Sequence, residues 1–185
     1  MAGSFDFSGC PTSIAPGAVA HWNATVRAFL AHGAATPDHL SATLDAAPDF
    51  AQGHAVRGLF CLLLGRREMV DTARDALTAA RAAAGRSPPE PHEQVYLDAL
   101  DDWLQGRPSA AAARLDALLI TEPRDALAMK LVQAIRFVLG QPDHMRRSIE
   151  AVLPTWQDHP ALGYLKGCYA FALEETGDYN AAEAA

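Results

Sequence analysis

Two polar pairs interrupt otherwise apolar helical stretches: Gln133 with Arg136, and His54 with Arg57. Each pair lies three residues apart, the spacing that puts side chains on one face of a helix. If the helix around 133–136 lines a groove, Arg136 could clamp a carboxylate from an acidic peptide side chain or a chain terminus. The competing reading is an interhelical salt bridge or plain solvent exposure, and the small worth of isolated charges favours it. For His54 and Arg57 the alternatives are a groove wall and the wet edge of a helix. The usual exposure of such residues favours the edge.

No other constellation points to chemistry. The seven histidines are scattered, and no two stand at the i, i+4 spacing of a helical metal site. His92 sits between Glu90 and Glu93, where a helix cap accounts for the acids. Asp101-Asp102 and Glu174-Glu175 are sequence neighbours, which diverge on a helix and cannot act as paired carboxylates. There is no Gly-rich phosphate loop, nucleophile elbow or catalytic Cys/His spacing. Catalytic residues, a metal site and cofactors are therefore not expected. Tyr96, Trp103, Phe137, Tyr164 and Phe171 are assigned to the core by default.

Half of the 185 residues are hydrophobic, many of them Ala, and β-branched residues are sparse, which favours helix throughout. A net charge of −7 repels phosphate backbones and argues against nucleic acid as a partner. The longest strongly apolar run, 59–64, is far short of a membrane span. Three cysteines at no metal-like spacing fit a reducing compartment, and residues 1–16 lack the basic start and apolar stretch of a signal peptide. The expected location is the cytoplasm, with no membrane partner.

The elements that must position the polar pairs are read from punctuation. Residues 1–16, rich in Gly, Ser and Pro, are expected to form a flexible arm. From residue 17 to 185, apolar spacings of three and four recur between Gly and Pro breaks and predict nine helices and part of a tenth, in five antiparallel pairs. Thr36 is expected to cap one start, and Ser87 with Glu90 to form a capping box at another. Gly65, Gly106, Gly140 and Gly177 follow successive runs at gaps of 41, 34 and 37 residues, the period of a helix-turn-helix repeat.

The third pair carries the spacing of a tetratricopeptide repeat: Gly106, then Ala111, Leu115, Leu118 and Pro123. The small residue admits a close helix, the large ones fill the gap, and Pro stops the run. Gly177-Asp178-Tyr179 with Ala182 repeats the signature. Segments such as Trp103–Pro108, Pro123–Ala128 and Phe171–Tyr179 resemble the tetratricopeptide repeat protein 38 family over residues 39–185. The resemblance implies an α-solenoid without established catalytic activity and supplies no catalytic residues. It also implies a longer chain, so the repeat domain is expected to be truncated inside its last pair.

The expectation is an all-α, TPR-like right-handed α-solenoid of about five antiparallel helix pairs, over residues 17–185. Its expected role is a non-enzymatic scaffold or interaction module presenting a concave groove to a protein or peptide. A homodimer is one way to cover the open C-terminal end. The alternative is the N-terminal part of a longer enzyme or small-molecule-binding protein whose site needs further repeats.

Overall fold

Stretches rich in Ala and Leu, punctuated by Pro starts and Gly stops, fold into ten α-helices among the described residues. The computed structural model describes residues 4–185; residues 1–3 of the expected arm lie outside the described part. The helices are α1 (Val19–Leu30), α2 (Thr36–Ala46), α3 (Ala51–Leu63), α4 (Met69–Arg86) and α5 (Pro91–Leu104). They continue with α6 (Pro108–Thr121), α7 (Ala126–Val138), α8 (Pro142–Val152), α9 (Leu162–Glu175) and α10 (Tyr179–Ala184). The protein is all-α, and each helix of a pair packs against its sequence neighbour.

The hairpins are joined by one recurrent turn. Gly65, Gly106, Gly140 and Gly177 have φ of 64°, 77°, 64° and 79°, the left-handed conformation that glycine adopts without a Cβ penalty. In three of them the next residue's N–H reaches back five positions to close the helix end: Arg107 to the Asp102 carbonyl, Gln141 to Arg136 and Asp178 to Leu173. This is the Schellman arrangement, which satisfies carbonyls left over at a helix terminus.

Two starts differ from expectation. Thr36 lies inside α2 and its hydroxyl donates to the Gly33 carbonyl at 2.7 Å, so it does not cap. The capping box of α5 is formed by Glu90 and Glu93, one turn later than Ser87 and Glu90, because Pro91 takes the first helical position.

The core runs along the stack. Trp22 of α1 meets Phe50 edge-on at 5.0 Å. Tyr96, Leu100, Leu115, Leu131, Ile135, Ile149 and Trp156 are fully buried. Gly58 lets α3 and α5 approach, since a Cβ there would lie 2.5 Å from Leu100 Cδ2.

Residues 4–15 form a strap across the helices, contrary to the flexible arm expected from composition. Ser4–Phe5 pairs antiparallel with Pro11–Thr12, and Cys10 and Ile14 are buried. Phe7 N–H donates to Asn23 Oδ1 of α1 at 2.7 Å. Thr12 Oγ1 and Ser13 N–H donate to Glu93 Oε1 of α5 at 2.8 and 3.0 Å. Ser8 Oγ accepts the N–H of Ala126, the first residue of α7, at 3.1 Å. The strap's short polar side chains satisfy groups at helix ends, which a composition count does not reveal.

Candidate functional site

A broad concavity opens between α1, α7 and α9. On α7 the residues at 130, 133, 134, 137 and 138 share one stripe, and they face α9 residues Gly163, Tyr164, Gly167, Cys168 and Phe171. Phe29 and His32, at the end of α1, close the third side, and the space holds about 770 Å³. α1 reaches α7 directly, bringing the first helix pair against the fourth.

The walls are apolar and partly open to solvent. Phe137 is 50% exposed, Tyr164 40% and Phe171 37%, so these three aromatics leave the core to which the sequence assigned them. Phe137 and Phe171 meet at 5.2 Å across the α7–α9 seam. Tyr96, by contrast, is fully buried, and its hydroxyl donates to Asp125 Oδ2 at 2.7 Å.

Lys130 is the one formally charged residue of this lining. Its Nζ lies 3.0 Å from His32 Nε2 and donates to Cys168 Sγ at 3.7 Å. No carboxylate pairs with it among the described residues, although the chain has 22 acidic residues. The ammonium beside His32, reinforced by partial burial, holds the imidazole pKa below its ordinary value. His32 therefore offers Lys130 a lone pair, and the ammonium keeps donors for an incoming acceptor.

His32 is held in an unusual conformation. Its φ is 52°, the sole positive value outside glycine among the described residues. Gly33 N–H bonds the Ala28 carbonyl at 2.7 Å, so His32 occupies the turn position that glycine holds in the other four pairs. A side chain there costs on the order of 1 kcal/mol. The return is an imidazole placed against Lys130, 98 residues away.

The sequence-selected residues go elsewhere or play smaller parts. Arg136 is buried and turned away from the concavity. Its guanidinium pairs with Asp116 Oδ2 of α6 at 2.5 Å and donates to Gln141 Oε1 at 2.6 Å. It is an interhelical tie, not a groove clamp. Gln133 does line the groove, with its amide N–H₂ donating to Ser148 Oγ at 2.8 Å and the Met145 carbonyl at 3.2 Å. Its Oε1 is buried without a partner. His54 donates from Nε2 to the Pro48 carbonyl at 2.8 Å, a local clasp on the start of α3. Arg57 is exposed on the rim of a smaller hollow of about 470 Å³ between α2 and α3.

Residue-type spacing did not single out His32, Lys130, Cys168, Gly163 or Gly167. One signal was available: Lys130 is one of only two lysines in the chain and interrupts the apolar run from Ala126 to Val132. The convergence of His32 with Lys130 depends on the packing of α1 against α7, and no local pattern encodes that. Among the described residues no group of three or more His, Cys, Asp or Glu is placed to hold a metal ion, and no helix is long and apolar enough to cross a membrane. In comparisons with known proteins, no family model and no solved structure matches this chain.

Proposed function

We propose that this protein is a non-enzymatic interaction module of the tetratricopeptide type, a right-handed solenoid whose concave face takes a segment of a partner polypeptide. The observation that carries the reading is the aromatic groove between α1, α7 and α9, with one cation unmatched by any carboxylate in its wall. Apolar walls with a few fixed polar groups are the usual makeup of a recognition groove. The recurrent left-handed glycine turn supports a repeat array. So does the resemblance to the tetratricopeptide repeat protein 38 family in the sequence. A cytoplasmic setting accords with three free cysteines, two of them buried.

The test is a phage-displayed peptide library panned on the immobilised chain, followed by fluorescence anisotropy of the selected peptides. Phe137 and Phe171 are part-exposed, so F137D/F171D should fold while placing two carboxylates in the groove. Selected peptides are expected to lose at least about tenfold in affinity for this variant. Equal binding to both proteins, or no enrichment, overturns the reading.

The groove's volume also falls in the range of small-molecule sites, which favours a second reading as a small-molecule receptor. Native mass spectrometry of the purified chain separates the two. A stoichiometric bound small molecule would support the second.

A further inference from the structure

Resting on that reading, we infer that the occupant of the groove is an amphipathic helix of the partner, crossing α9 at Gly163 and Gly167 with an acidic side chain on Lys130. The glycines carry the geometry. Gly53 and Gly58 of α3 are explained by packing, because a Cβ would come within 2.8 Å of Phe50 and 2.5 Å of Leu100. For Gly163 and Gly167 a Cβ would meet nothing within 4 Å. Gly163 lies in the first turn of α9 and Gly167 in its interior, where glycine is unfavourable relative to Ala, and nothing among the described residues packs on either position to require it. The two lie one turn apart and both line the groove, flanked by Tyr164 and Phe171. Together they open a strip of bare backbone that another helix can approach closely.

One charged group points to a ligand in the same space, independently of the glycines. Lys130 faces the groove with only a neutral imidazole and a thiol beside it. A cation left without a carboxylate in the groove wall is complementary to an acidic side chain of the partner. The space of about 770 Å³ corresponds to roughly two turns of a helix about 10 Å across. The occupant thus has a small residue at the α9 crossing, aliphatic residues against Phe137 and Phe171, and Asp or Glu about one turn away at Lys130.

The experiment uses two phage libraries on the full chain: amphipathic helices of about 15 residues, and extended peptides with a central Pro. Selected peptides, fluorescently labelled, are titrated against wild type, G163A/G167A, K130E and F137D/F171D. Helical peptides rich in Asp or Glu are expected to be selected. G163A/G167A should raise Tm by roughly 2–4 °C while weakening these peptides at least about tenfold. K130E should weaken them similarly. The opposite signs of stability and binding separate a blocked crossing from a damaged fold.

Helical peptides that bind G163A/G167A as well as wild type overturn the inference. Groove binders found only in the extended library overturn it too, yet leave the interaction-module reading standing if F137D/F171D abolishes them. No binder from either library sinks both. Analytical ultracentrifugation checks the remaining occupant: a wild-type dimer that becomes monomeric in G163A/G167A would show that a second copy fills the groove, and would also overturn the inference.

Discussion

His32 and His159 show how much one side chain can be asked to do. His32 holds a left-handed position that four glycines hold elsewhere, at φ 52°. Replacing it with glycine removes the Cβ strain but adds freedom to the unfolded chain, for a net gain of roughly 0.5–1 kcal/mol. H32A keeps the Cβ and gains nothing, so urea unfolding of the two variants separates strain from lost contact. His159 lies against Trp156, ring centroids 4.2 Å apart, and its Nδ1 accepts the Ala161 N–H at 2.9 Å. Burial, with Arg124 nearby, pushes its pKa from 6.5 down to about 4. The folded state therefore holds His159 neutral while the unfolded chain protonates it. The stability this contributes is complete above pH 6.5 and is lost as pH falls toward 4. Between pH 7 and 4 the Tm should fall by an amount on the order of 5 °C more in wild type than in H159Q. Equal slopes would mean that His159 titrates as it does in the unfolded chain.

At the scale of elements, the strap of residues 4–15 carries its own pH response. Asp6 Oδ1 accepts the N–H groups of Ser8 and Cys10, both at 2.9 Å, and so ties the turn of the strap. Burial, with repulsion from Asp125 and Glu93, outweighs those bonds and raises its pKa from 3.8 to about 7. A carboxyl with a raised folded pKa keeps a proton that the unfolded strap gives up. Docking is thus firmest below pH 3.8 on this account and weakens as pH rises to about 7. Hydrogen-exchange protection of the Ser8 and Cys10 amides, corrected for intrinsic rates, should drop between pH 5 and 8 in wild type. In D6N, which has no proton to lose, it should stay level.

The strap also marks where sequence reading stopped. Helix starts at Pro91, Pro108 and Pro142 and stops at four glycines are legible because they are local backbone chemistry. The strap is held by single polar atoms of helices 16 to 118 residues away, and its composition resembles that of a loose tail. The groove is hidden for the same reason. Phe137 and Phe171 fit an apolar helix face as well as Leu131 or Leu165 do, and only the arrangement of three helices decides which faces are covered. Arg136 was legible as a polar residue on a helix, but its pairing with Asp116 across to α6 was one of several equal possibilities.

For the whole molecule, a stack of hairpins that touches only its neighbours unfolds as a one-dimensional array, able to fray from either end. This chain departs from that limit in two places. α1 contacts α7, joining the first pair to the fourth. The strap ties α1, α5 and α7 through Asn23, Glu93 and Ala126. Both links close long loops, so the N-terminal end cannot open without breaking contacts made far along the chain. Unfolding is therefore expected to be a single cooperative transition. The tryptophans report on it from three places: Trp22 in α1, Trp103 in α5 and Trp156 just after α8. In urea, fluorescence and far-ultraviolet circular dichroism should give coincident midpoints for the full chain. Removing residues 1–15 cuts the strap and exposes the Glu93 carboxylate that it covers. The midpoint should then fall, and the two signals should separate as α1 and α2 open ahead of the rest. Coincident transitions in the shortened chain would show that the α1–α7 contact alone holds the array together. Separated transitions in the full chain would show that neither link couples the ends.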